Sequence, residues 1–275
     1  RAGPRRTFVA DQMIYLMLNQ KQMRYSMLSF LILSLFLMTA CDKESGPDIT
    51  ESVATENVFV LPIRKIKDGQ DIDDFKAKRD AYVATLEAEA GTLSDREFQP
   101  FFEFTGSGLE LERVFVGLTS FQNNDTFAQI GDATGSTPEA NAFFATFDFI
   151  SFQVLQPLDE KELVDLTDFA NLGSGQVWEV AVRDLSQYNA FDQADYESKR
   201  DDYLAVLAAQ DNFVREVQWK SISDPNIVVG MTFYKDAASY QAVNQDQAFI
   251  DAYLATGFLQ NYTINVYGAI HNVLK

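Results

Sequence analysis

The chain has 275 residues, 47% of them hydrophobic and 13% aromatic, with 40 acidic side chains against 22 basic ones and a formal net charge of −18. That much apolar material excludes a wholly disordered chain, and the negative field repels phosphate backbones, so no nucleic acid is expected as a partner. A single cysteine and a single histidine exclude an intrachain disulfide and a Cys/His zinc cluster.

Met13, Met23 and Met27 are candidate starts, and residues 1–40 read as a signal peptide with upstream sequence. From Met23 the order is a basic residue (Arg24), an apolar run from Met27 to Met38, and the small pair Thr39-Ala40 before Cys41. The run is shorter than the ~20 residues of a spanning helix. Leu37-Met38-Thr39-Ala40-Cys41 resembles a bacterial lipoprotein lipobox, departing from it at Met38. The resemblance implies cleavage before Cys41, acylation of its thiol, and a lipid anchor in the bacterial cell envelope, on the periplasmic or the surface side. Several acyl chains anchor stably, since each buried CH₂ contributes roughly 0.8 kcal/mol. Residues 41–56 are polar and read as a tether. Arg1, Arg5, Arg6, Lys21 and Arg24 all precede Cys41, so the mature chain is more acidic still.

Residues 57–158 form a first unit. Val58 to Ile63 reads as a strand, and Asp71 to Asp74 supply caps for a helix running to about Ala90, with Phe75, Tyr82, Val83 and Leu86 on one face. Strands follow at Glu97–Phe104 and Val114–Phe121 around the turn residues Thr105 to Gly108. A helical stretch over about 124–147 is broken at Gly135 to Pro138, and Phe149–Leu155 closes the unit as a strand. Residues 159–175 connect. Residues 176–275 then repeat the order: strand Val177–Val182, helix about 192–209, strands Val214–Ile222 and Ile227–Tyr234, helical segments about 237–255, and strand Tyr262–Ile270.

The repetition is also literal. Lys78-Arg79-Asp80-Ala81-Tyr82-Val83-Ala84-Thr85-Leu86 returns 121 residues later as Lys199-Arg200-Asp201-Asp202-Tyr203-Leu204-Ala205-Val206-Leu207. Arg96-Glu97-Phe98-Gln99 matches Arg215-Glu216-Val217-Gln218, and Val114 to Thr119 matches Ile227 to Thr232. Each unit reads β-α-β-β-α-β, an α+β, ferredoxin-like arrangement. Its strands are apolar on both faces, and helices cover only one, so the second copy is the expected cover for the other. Two fused repeats then pack sheet to sheet as an eight-stranded barrel, the faces of Phe115 and Val228 among those buried, with no oligomer required.

Over about residues 56–275 this element order and repeat resemble the dimeric α+β barrel superfamily, including antibiotic-biosynthesis-monooxygenase-like domains, in tandem-fused form. The resemblance implies a range of roles, among them cofactor-free oxygenases and haem proteins.

Site candidates are few. Glu97 and Gln99 share a strand face, as do Glu216 and Gln218; pointing into the barrel, they would line a cavity that Glu179 could join, and lying at strand ends, they would be solvated instead. A carboxylate buried there would have a raised pKa and act as a general base. Trp219 stands where the first copy has Pro100 and would wall a pocket on that side. Arg79 lies between Phe75 and Tyr82 and either enters a cleft or pairs with an acidic neighbour. His271, the sole imidazole, is a conceivable haem ligand, but no cofactor or metal is expected. With no complete catalytic constellation, the sequence points to an anchored protein that binds a small, partly apolar ligand or a protein partner. The alternative is a cofactor-independent monooxygenase-like enzyme acting on an aromatic substrate, with Glu97, Glu216 or Glu179 as base.

Overall fold

A computed structural model describes residues 56–102, 108–158, 177–188, 190–262 and 269–273. All belong to one compact unit, Val53–Lys275. The lipobox and Cys41, the tether, the turn at 105–107 and the connector 159–175 lie outside the described residues. Among the described residues no helix is long and apolar enough to cross a membrane.

The first half runs β1 (Val58–Ile66), α1 (Ile72–Glu87), β2 (Thr92–Pro100), β3 (Val114–Phe121), α2 (Asn124–Thr134), α3 (Pro138–Phe144) and β4 (Phe147–Pro157). The second runs β5 (Val177–Asp184), α4 (Gln193–Ala208), β6 (Phe213–Ser221), β7 (Ile227–Tyr234), α5 (Ala237–Val243), α6 (Gln247–Ala255), α7 (Phe258–Asn261) and β8 (Ala269–Val273). Asp71 and Asp192 cap α1 and α4, each accepting backbone N–H groups of the first turn. Within each half the strands lie in the order 4-1-3-2, and the eight strands close into a barrel, β1-β3-β2-β8-β5-β7-β6-β4. Two antiparallel seams join the halves: β2 with β8, where Gln99 faces His271, and β4 with β6, where Pro157 faces Trp219. The fold is therefore two fused ferredoxin-like repeats forming one α+β barrel.

The barrel interior is apolar and rich in aromatic rings. Phe59, Leu61, Ile63, Phe98, Val116, Leu118, Trp178, Val180, Val217, Trp219, Met231 and Phe233 form one buried cluster drawn from both halves. Trp219 meets Phe59 edge to face at 5.0 Å, a pairing that adds about 0.5–1.5 kcal/mol beyond the area it buries. The alternate strand residues turn outward under the helices. Phe75, Tyr82, Leu86, Phe115 and Phe143 pack together in the first half, and Tyr196, Tyr203, Val228, Tyr234 and Phe258 in the second. Phe115 and Val228 are thus buried, but beneath helices rather than between the sheets.

Three expectations are corrected. β2 begins at Thr92, five residues before the predicted Glu97, because Thr92, Ser94 and Asp95 pair with β3 around a register shift at Leu93. Tyr262 closes α7 and does not open a strand. The Arg-Glu-Phe-Gln and Arg-Glu-Val-Gln match is out of register in space. Phe98 stands opposite Val116, and Trp219 opposite Val229. Glu97 stands opposite Gly117, whereas Gln218, not Glu216, stands opposite Gly230. The true counterparts are therefore Phe98 with Trp219, Glu97 with Gln218, and Asp95 with Glu216, at the same 121-residue spacing as the helix repeat. Pro100 is not the counterpart of Trp219.

Candidate functional site

The predicted site residues do not share one cavity. Trp219 points into the barrel, while Glu97, Glu179, Glu216 and Gln218 face outward under the helices, where two separate layers cover them. The barrel interior is already filled, so the polar chemistry moves to the layer between sheet and helices.

In the first half that layer is closed around an ion pair. Arg64, from the end of β1, directs Nη2 to both Glu97 oxygens at 2.9 and 2.7 Å. Its guanidinium lies 5.3, 5.6 and 5.9 Å from the centres of Phe143, Phe147 and Phe75. Both side chains are buried, and burial pushes the Glu97 carboxyl up while the Arg64 and Arg79 charges pull it back. Gly117 makes room for the pair: a Cβ there would stand 2.5 Å from Arg64 Nη2. Asp95 accepts from the Thr119 hydroxyl at 2.7 Å. Arg79 is 4% exposed and donates to the neighbouring Asp80, the acidic-neighbour reading of that residue. Gln99 sits half-buried at the end of β2 and donates to the Glu112 carbonyl.

The second half keeps the frame and changes the partners. Arg183 occupies the place of Arg64, opposite Val228 as Arg64 is opposite Phe115. The residue in the place of Glu97 is the neutral Gln218, which is fully buried and gives its amide to the Tyr196 hydroxyl at 2.7 Å. Glu216 is taken by Arg200, the helix arginine that corresponds to Arg79. Arg183 directs Nε to the Tyr262 carbonyl at 3.1 Å and lies 4.9 Å from the Phe258 ring centre. Its charge acts on the Glu179 carboxylate, and its Nη1 and Glu216 Oε1 both lie against the Cβ position of Gly230, at 3.0 and 3.5 Å.

Beside Arg183 is a cavity of about 20 Å³, lined by Glu179, Ala181, Tyr203, Glu216, Thr232 and Tyr253 among others. It is large enough for about one water. Glu179 anchors its wall, accepting from Tyr234 at 2.8 Å on Oε2 and from Tyr240 at 2.7 Å on Oε1. The residue keeps some accessible surface, but its carboxylate is enclosed by those rings. Burial raises its pKa, and the two hydroxyls and the Arg183 charge oppose the rise. The Tyr234 and Tyr240 hydroxyls are themselves pushed up, first by burial and then by the Glu179 charge. In the first half, Val60 and Pro62 stand in the places of Glu179 and Ala181 and take the corresponding space with hydrocarbon.

Sequence reasoning singled out Glu179 but passed over Arg64 and Arg183. The available signal was a charged residue at the same place in two otherwise apolar strands, Val58-Phe59-Val60-Leu61-Pro62-Ile63-Arg64 and Val177-Trp178-Glu179-Val180-Ala181-Val182-Arg183. His271 lies on β8, and the direction of its ring is outside what is described. Among the described residues no three His, Cys, Asp or Glu side chains gather as metal ligands.

No protein family's sequence profile matches the chain. No curated protein matches it in sequence either. Solved structures do match in shape. An anthrone oxidase-like protein is 11% identical, with 82% of this chain and 94% of that one covered and a TM-score of 0.56. A variant of chlorite dismutase from Candidatus Nitrospira defluvii is 7% identical, with 82% and 93% covered and a TM-score of 0.51. At such identities the likeness establishes the fold alone: this chain has the dimeric α+β barrel, closed within a single polypeptide.

Proposed function

We propose that the protein is a bacterial envelope lipoprotein that binds a small, partly apolar ligand in its second half, between Glu179, Arg183, Tyr203 and Tyr253. One observation carries the reading: the two halves share a frame, yet only the second places a carboxylate and an alanine where the first has Val60 and Pro62. Convergent polar groups beside tyrosine rings are what a small-ligand site needs. Anchoring rests on the lipobox resemblance at Cys41. Mass spectrometry of membrane-extracted protein should find a lipid mass on Cys41, and Cys41→Ser should release the chain to the soluble fraction; unchanged membrane association would contradict it. The closed cavity takes about one water, so a phenol or small aromatic acid enters only by displacing the Tyr203 and Tyr253 rings that line it, and such ligands should then raise the melting temperature of the wild-type chain. Ala181→Leu, which fills the cavity as Pro62 fills its counterpart, should abolish that shift with the fold intact. A shift retained in Ala181→Leu would place the ligand elsewhere.

A second reading, an oxygenase-like enzyme that needs no cofactor, is favoured by Glu179 in particular. Glu97 and Glu216 each have their carboxylate oxygens occupied by an arginine, Arg64 and Arg200, and so are not open to a substrate proton. Glu179 is held by tyrosine hydroxyls and has a raised pKa, the condition for taking a proton from an acidic phenol or enol. The likeness to an anthrone oxidase-like protein supports it at the level of fold. Oxygen uptake with a hydroxyaromatic substrate, lost in Glu179→Gln, would establish this reading; no uptake across such substrates leaves binding alone.

A further inference from the structure

We propose that the outer face of the second half, at the groove between α4 and α6, docks a basic amphipathic helix of a partner protein. The groove shares no lining residue with the pocket under the helices, so the inference goes beyond that reading and does not depend on it. The helix layers of the two halves differ here. In the first half the helices close on each other: Phe143 and Phe144 of α3 meet Tyr82 of α1 at 5.7 and 5.2 Å. In the second, Phe258 of α7 takes the place of Phe143, stacked on Tyr203 at 5.2 Å and lying over the strand arginine as Phe143 does. Tyr253 of α6 also meets Tyr203 at 5.2 Å. Above that contact α4 and α6 leave a groove of about 440 Å³ between them.

Val206 and Phe249 give the groove a hydrocarbon floor, and its walls are Ala205 and Ala209 on one side, Ala248 and Ala252 on the other. The four alanines are exposed, so the groove is open along its length. Such short walls let a third helix approach closely and fill the space with its own apolar side chains. A small molecule would stay largely in solvent there, whereas small-ligand sites enclose most of what they bind. Charge fixes the sign of the partner. Asp246 lines the groove, Asp202 lies one helical turn before Ala205 and Val206, and Asp251 precedes Ala252; all three are exposed. Among the described residues none of them forms an ion pair: Asp246 accepts from the Ala248 N–H and Asp251 from the Gln247 amide. No Lys or Arg occurs in residues 201–214 or 236–262, the stretches that build both walls. An apolar floor rimmed by carboxylates without cations of their own is matched by a helix with one aliphatic face and Lys or Arg along its flanks, whose stems lie over the alanines.

The test is fluorescence anisotropy of a labelled peptide of Leu and Lys, about four helical turns long with Leu at helical spacing, titrated with the full chain. It should bind saturably, one to one, and more weakly as salt rises. The same peptide with Glu for Lys, and a peptide of the same composition in scrambled order, should not bind. Ala252→Trp, which fills the groove from an exposed position, should abolish binding with the circular dichroism unchanged. Asp202→Asn, Asp246→Asn and Asp251→Asn together should weaken binding about tenfold at low salt, the loss expected for a few rim charges. Asparagine still caps α6, so this set decides the matter if Ala252→Trp does not fold. Asp68→Asn, Glu89→Gln and Asp132→Asn, which remove as much charge from exposed positions of the first half, should leave binding unchanged. Equal loss in that control set, or equal binding of the scrambled peptide, would mean attraction to net charge alone and overturns the inference. Absence of saturable binding, or binding that persists in folded Ala252→Trp, overturns it too. Binding of the Glu peptide would rule out a cationic partner, and a wild-type dimer in sedimentation that Ala252→Trp dissolves would assign the groove to a second copy of the chain instead.

Discussion

Glu97 and Glu179 are both carboxylates pushed toward the neutral form by burial, yet their surroundings give them opposite uses. Glu97 is locked to a guanidinium. Glu179 is held by two phenols and faces a cavity, so a proton there can come and go. The native state of Glu179 holds its proton to a pH above the ordinary value of 4.5, while the unfolded chain releases it there. Stability tied to this group is therefore complete below 4.5 and falls as pH rises through the window up to the native pKa, by about 1.4 kcal/mol per unit. Denaturant titrations should show wild type losing stability relative to Glu179→Gln as pH rises above that value, with the difference flat below it. A parallel pair of pH curves would mean that the carboxylate is not held neutral. These roles were only half visible in the sequence. Alternation told which residues share a strand face, but a strand buried on both sides does not say which face meets the barrel and which the helices. The sequence therefore leaves Glu97 and Gln99 open between the barrel interior and solvated strand ends, and Glu97 lies in neither place.

At the scale of the element, chemistry with a local signature was read well. Asp71 and Asp192 mark their helix starts, Gly135 to Pro138 the break between α2 and α3, and β3 and β7 match their predicted bounds. Chemistry that depends on pairing was not. The four-residue match in β2 and β6 is a coincidence two residues out of step, and only the ladder to β3 and β7 reveals it. Both strands also carry a register shift near their start, which leaves Leu93 and Val214 exposed as counterparts. The glycines of β3 and β7 show how far the two halves have separated. A Cβ on Gly117 would meet Arg64 at 2.5 Å and Pro62 at 3.0 Å, and Arg64 cannot move while Glu97 and three rings hold it. Gly117→Ala should cost about 1–3 kcal/mol of unfolding free energy. Gly230→Ala meets Arg183 at 3.0 Å, and that side chain borders open space, so the loss should be smaller. Chemical denaturation of the two variants side by side checks the order; equal losses would mean that Arg183 is as firmly held as Arg64.

For the molecule as a whole, the internal repeat and the two apolar sheet faces predicted the barrel, because an uncovered face has nowhere else to go. Each half alone would expose its share of Phe59, Phe98, Trp178, Trp219 and Phe233. Halves produced separately by splitting within 159–175 should aggregate or, mixed, recover a one-to-one complex measurable by light scattering. Two soluble monomeric halves would contradict the shared core. Closure through the seams of β2 with β8 and β4 with β6 has a further consequence. Where such a barrel is assembled from two chains, its integrity depends on mass action and fails on dilution. Here the partner is tied on by the connecting polypeptide, so each half experiences the other at a fixed local concentration however scarce the protein is. The barrel of a sparsely expressed copy is as complete as that of an abundant one, and its unfolding midpoint does not shift with protein concentration.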